Sequence, residues 1–206
     1  SEKTKLRITE TERIKNSVLL LYQLQDKSGD VPNYGSNDGA LIFPVTSCGY
    51  RDFRPVLNTV YALIEGKRLY EFGDYDEELL WFGRKINLPF ENIQRKTSFF
   101  WDSGYFKFSH EQGFLMTTLQ NFNSRPAHMD QLHIDLWHKG INVFCDSGTY
   151  SYASNIEKKL TSTSGHNTVK VSEYEQMNKE SVFFVTDWTK RENVKFDEKS
   201  FEGDRK

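Results

Sequence analysis

The sequence predicts an α+β protein, helices first and strands after, and three observations carry that prediction. Apolar residues recur at helical spacing before Pro89. After Pro89 the chain turns to short aromatic and β-branched segments split by Gly, Asn, Asp and Ser. Aromatic residues reach 15%, with Phe 16, Tyr 10 and Trp 4, which is enough large side chains to pack a core.

Each element has its own signal. Ile8, Ile14, Val18, Leu21 and Leu24 predict a helix over 8–26, with Thr9 or Thr11 as its cap and Gly29 and Pro32 as terminators. The run GDVPNYGSNDG at 29–39 reads as a structured loop. Val56, Val60, Leu63 and Ile64 predict a second helix from Asp52 to near Gly66, and EELLWFGRK at 77–85 a short third. Strands are predicted over 98–109, 114–122, 131–138, 141–145, 168–171 and 181–188, the signature of an antiparallel sheet or sandwich. The change of texture near 90–97 divides a helical segment, 1–95, from a strand segment, 96–206. The charged tail from Lys190 reads as a last edge strand or a frayed end.

Lys+Arg 27 against Asp+Glu 29 gives a net charge of −2, which argues against a nucleic-acid binder that works by neutralising phosphates. The longest apolar run, SVLLLY at 17–22, is too short to span a bilayer. Residues 1–16 are charged and carry no apolar signal region, and since an exported protein loses its signal the compartment stays open. Cys48 and Cys145 form no metal-type pair and read as buried free thiols, with one disulfide as the alternative.

The chemistry concentrates downstream. His128, His133 and His138 fall within 11 residues together with Asp130 and Asp135. On a strand over 131–138, Gln131, His133, Asp135 and Trp137 share one face and Leu132, Ile134, Leu136 and His138 the other. A histidine of this segment, with Asp146 and His166 further on, makes a donor set that suits zinc and leaves a position open. The plainer alternative has Asp146 capping the turn at Ser147-Gly148, His166 bonding a loop, and His133 exposed on a strand face.

The strings RPAHMDQLHIDLWHKGINVFCDSGTYSY and SGHNTVKVSEYEQM together resemble the heparinase II/III-like polysaccharide lyases. In that family a His-x-Asp strand, a Gly, an Asp-x-Gly-x-Tyr turn and a His-Asn pair recur in this order. NYGSNDGA and YRDFRP resemble the branch found among surface-polysaccharide genes, and the likeness runs over 19–188. It implies the last helices of an α/α toroid followed by an antiparallel β-sandwich, with a polysaccharide groove between them. Three helices do not make a toroid, so the chain is expected to be a fragment of a longer lyase.

Family members break the 4-linked bond before a uronic acid by β-elimination, which needs a carboxylate neutraliser, a base and an acid. The resemblance carries the base and acid role to Tyr34, with Asn33, Asn37 and Asp38 around it; the alternative is a loop aromatic packed on Leu21 and Leu24. A phenol near its usual pKa of about 10 is a poor base at neutral pH, so Arg51, Arg54 or a metal would have to stabilise the phenolate. The metal set carries over to His128, Asp146 and His166, holding zinc in a structural role with no organic cofactor. A catalytic His of many members falls here on Pro126, which leaves His128, His133 or Arg125 to supply its function.

The family's Asn or His carboxylate partner has no match before Tyr34, so the isolated chain is expected to be inactive. The expected partner is an acidic, uronate-containing polysaccharide held locally by Arg51, Arg54, Arg125 and Lys139. The expected location, from the family alone, is the periplasm or cell envelope. A competing reading is a non-catalytic module whose Trp101, Tyr105, Phe106 and Trp137 hold a glycan. A zinc hydrolase is disfavoured by the absence of an HExxH helix.

Overall fold

The computed structural model describes residues 8–206, with side chains from residue 10 onward. The side chains of Ile8 and Thr9 therefore lie outside the described residues. The chain divides into two compact units: Ser1–Val31 with Leu41–Arg95, and Pro32–Ala40 with Lys96–Lys206. The segment Pro32–Ala40, expected to belong with the helices, is thus part of the strand unit.

The first unit is built on α1 (Ile8–Leu24), α2 (Arg54–Glu65) and the short α3 (Glu77–Trp81). Pro55 in the first turn of α2 suits a position whose N–H has no helical partner, and Gly66 caps its other end in the left-handed region. Val18 and Tyr22 of α1 meet Leu57 and Tyr61 of α2, each pair one helical turn apart, with Leu69, Tyr70 and Tyr75 completing the core. The buried face of α2 is rotated from the one its Val and Leu spacing suggests, because Val56 and Leu63 are exposed. Its place is taken by Leu57, Asn58 and Tyr61.

Asn58 is fully buried and satisfied, donating to Asp76 at 2.9 Å and accepting the Leu69 N–H at 3.1 Å. Arg68, equally buried, donates to both Asp76 oxygens and to the carbonyls of Tyr70, Glu71 and Ile86. The unit therefore has a polar core beside its apolar one.

The second unit carries an antiparallel five-stranded sheet in the order β1 (Ser98–Phe100), β2 (Tyr105–His110), β3 (Gly113–Thr118), β4 (Ile134–His138) and β5 (Ile141–Phe144). The predicted strand 98–109 is a hairpin, broken by the turn at 101–104. The β4–β5 connection is Lys139-Gly140, both at positive φ, the conformation that matches the strand twist of a two-residue hairpin. Residues 168–171 form no strand, only an isolated bridge from Val171 to Tyr174.

A short α4 (Glu157–Leu160) follows, which the sequence did not signal, and then two hairpins. These are β6 (Asn178–Ser181) with β7 (Phe184–Thr186), and β8 (Arg191–Phe196) with β9 (Phe201–Arg205). The charged tail thus forms the β8–β9 hairpin. Its Phe196 and Phe201 pack at a tilt against the fully buried Phe106, with centroids 5.5 and 4.5 Å away, so the hairpin covers one face of β2.

Both cysteines are free; Cys48 is half-buried and Cys145 exposed, so the expectation of buried thiols fails. No helix among the described residues is long and apolar enough to cross a membrane.

Candidate active site

The strand predicted over 131–138 starts only at Ile134, because Leu132 sits at φ 62 and its N–H turns to Thr118 O. The alternation of faces holds, but its sense is inverted from a simple amphipathic strand. His133, Asp135 and Trp137 are at most 4% exposed, while Ile134 and His138 face solvent. His133 as an exposed face residue is therefore wrong: it is packed inside, and its Nδ1 accepts the Asn167 N–H at 3.1 Å.

That bond holds the segment carrying His166, whose ring meets His133 edge-on at 5.5 Å. Asn167 ties the same segment to β4 and β5, its side chain donating to Ile134 O and Cys145 O, both at 3.1 Å. His128 comes from the loop before β4, Asp146 from the turn after β5, and His166 from the turn after α4. Three loops at one end of the unit thus bring together side chains 18 residues or more apart.

His128, Asp146 and His166 are all buried and each offers a ligand atom within 4.8 Å of the others. Nδ1 of His166 lies 3.0 Å and Nδ1 of His128 3.7 Å from the Asp146 carboxylate. Although close, the His166 contact is not aligned as a hydrogen bond. Asp146 Oδ2, His128 Nδ1 and both ring nitrogens of His166 are buried without a hydrogen-bond partner.

Unsatisfied donors and acceptors are costly inside a protein, and two imidazoles with one carboxylate are a donor set that a divalent zinc ion satisfies. The residues therefore fit a metal. Burial alone would raise the Asp146 carboxyl, but His128 and His166 overcome it and hold the group well below the usual carboxylate range. Asp146 also accepts the Gly148 N–H at 2.7 Å, so the turn-capping role and the His–Asp–His role coexist.

On the other side, His128 Nε2 pairs with the Thr149 hydroxyl at 2.9 Å, and that hydroxyl donates to Gly35 O at 3.3 Å. The contact fastens the Pro32–Ala40 loop to the site. Gly148, at φ 72, lies against Asn33, whose Nδ2 would be 2.4 Å from any added Cβ. Tyr34 packs on Tyr105, with centroids 4.9 Å apart. Burial pushes the Tyr34 phenol up to about 12. Asn37 and Asp38 serve the loop's own turns, accepting the N–H of Gly39 at 3.1 Å and of Ala40 at 3.3 Å.

A cleft of about 340 Å³ opens beside this cluster, lined among others by Gly35, Tyr105, Gln120, Arg125, His128 and Asp130. His128 is therefore both a wall of the cleft and a member of the His–Asp–His set. In the sequence Tyr105 stands out only as a glycan-holding aromatic and Asp130 only as a neighbour of the histidines, since nothing in GYF or HMD marks a side chain as cleft-facing. Burial raises the Asp130 carboxyl, with His128 and His166 working against it.

Arg51 and Arg54 belong to the other unit and are engaged there, Arg51 with Asp30 at 2.7 Å and Arg54 with Asp52 at 2.7 Å. As a glycan platform the named aromatics fare poorly. Phe106 and Trp137 are core residues, and one face of the exposed Trp101 is covered by Arg191 at 4.5 Å.

An α+β protein with a buried His–Asp–His cluster beside a tyrosine-lined cleft is the class that fold and site define. Residues 92–205 match the family described as heparinase II/III-like, C-terminal, which is more than half of the chain, and the chain belongs to that family. A solved chain described as heparinase III, the BT4657 gene product, is similar over 93% of this chain, with 15% identity and a TM-score of 0.57. At that identity the likeness is one of fold. The chain spans 27% of that structure's length. A comparison with curated proteins finds no match.

Proposed function

We propose that this chain is part of a polysaccharide lyase that breaks the 4-linked bond before a uronic acid by β-elimination. The observation that carries this reading is the double place of His128, in the cleft wall and in the His–Asp–His set, with the Tyr34 ring packed at a tilt against the cleft residue Tyr105. Under the same reading, Lys96–Lys206 with Pro32–Ala40 is an antiparallel β-sandwich domain, and α1 to α3 are the end of a helical domain of the longer lyase. A periplasmic or envelope location follows from the substrate class.

In the reaction a base removes the C5 proton, its electron pair forms the C4–C5 double bond, and the C4–O bond breaks toward the leaving sugar. That oxygen takes a proton from the acid. Tyr34, with its pKa pushed up to about 12, keeps its proton at neutral pH and suits the acid. To act also as base it needs a cation near the phenolate when substrate is bound. His128 stands as the alternative proton carrier, and Arg125 as the cation for the sugar carboxylate. His133 is buried away from the cleft and supports the site through Asn167.

Zinc held by His128, Asp146 and His166 would supply a structural cross-link of the three loops and a fixed positive charge beside the cleft. Tyr34→Phe in a longer protein carrying this chain tests the reading. A lyase loses turnover and keeps its ligand, whereas a non-catalytic binding module keeps all it has.

A further inference from the structure

Resting on the reading of the cleft as a uronate site, we propose that the turn of the β6–β7 hairpin is a positioning arm that builds a carboxylate receptor around Arg125. Among the described residues that line the cleft, Arg125 is the sole Lys or Arg, and the carboxyl side chains there are Asp102 and Asp130. An exposed arginine on a loop ordinarily samples many rotamers and contributes little directed binding. This one is held at two points by the hairpin turn. Its guanidinium lies over the Phe183 ring at 5.1 Å, and its Nη1 donates to Val182 O at 3.3 Å.

Phe183 is in turn braced by Tyr152, with centroids 5.1 Å apart, and the Tyr152 hydroxyl donates to Ser36 O at 3.1 Å. Ser36 itself lines the cleft. The arm, Tyr152 and the Pro32–Ala40 loop therefore form one continuous brace behind the cation. One donor of five is spent on Val182, and the remaining N–H groups present the planar fork that matches a carboxylate.

The receptor selects a glycan for its carboxylate, and Phe183 acts through Arg125 as a positioning residue. The test is binding of this chain to heparosan, alginate and polygalacturonate, each compared with its carboxyl-reduced form by calorimetry. The chain should prefer the carboxylated form of at least one polymer. Arg125→Gln should lose about tenfold or more of that affinity, and Phe183→Ala about two- to fivefold. Phe183→Tyr should restore it, and none of the variants should weaken binding of the reduced polymer.

Equal affinity of Arg125→Gln and the parent chain overturns the receptor while leaving the lyase reading standing. So does a loss that is the same on reduced and native polymer, since that marks a structural role. A parent chain with no preference for any carboxylated polymer overturns both.

Discussion

The Asp146 carboxylate lies 3.0 Å from Nδ1 of His166 and 3.7 Å from Nδ1 of His128, inside the protein and without the alignment of a hydrogen bond. These are donors that a cation would satisfy. Purified chain is expected to carry about one zinc by elemental analysis, and a chelator should lower its Tm. Asp146→Ala and His128→Ala should lose the metal and the response to chelator. Metal-free protein whose His128→Ala variant melts with the parent would leave the cluster as a packing feature.

Gly148 stands at φ 72 against the Asn33 side chain. Gly148→Ala should cost about 1–2 kcal/mol, from the left-handed backbone and from displacing Asn33. Thermal melting measures the cost. Limited proteolysis should find the Pro32–Ala40 loop cut faster, because the added methyl displaces Asn33 beside the Gly35 and Ser36 carbonyls that Thr149 and Tyr152 hold.

Tyr34 holds its proton more tightly folded than unfolded, its pKa rising from the usual value near 10 to about 12. Between those values the unfolded chain gives up the proton first, so its contribution to stability is intact below pH 10 and fades as the pH climbs toward 12. Denaturant midpoints across that range should fall, and fall less steeply in Tyr34→Phe. An identical alkaline slope in the variant would show that Tyr34 is solvated.

Arg68 is a buried cation tied to Asp76 and three carbonyls. Arg68→Met leaves the Asp76 charge uncompensated and should cost about 3–5 kcal/mol by denaturant titration. Adding Asp76→Leu should recover part of that loss, a coupling that two independent sites would lack.

The first three helices and most strands were legible because period 3.6 and period 2 depend on local spacing, as in Val18 with Leu21 or His133 with Asp135. Which face is buried was less legible. The partner decides it, so Asn58 and Asp135 went inside while Val56 and Ile134 stayed out. The break of the 98–109 strand and the late start of β4 come from backbone turns that composition does not mark.

His128, Asp146 and His166 could be picked out by residue type and order, and their convergence follows from three loops meeting at one end of the sheet unit. Phe183 could not, and Tyr105 and Asp130 were legible as an aromatic and an acid but not as cleft walls, since nothing local distinguishes a wall from any other such residue. The attachment of Pro32–Ala40 to the strand unit depends on Thr149 and Tyr152, more than a hundred residues away.

The most direct test of the lyase reading is the ultraviolet absorbance of an unsaturated uronate product. A protein joining this chain to an upstream helical array, incubated with heparosan, alginate or polygalacturonate, should show a steady rise on at least one polymer. Tyr34→Phe in the same protein should abolish the rise while binding the polymer as before. An undiminished rise in the variant, or cleavage that yields only saturated ends, would contradict the account.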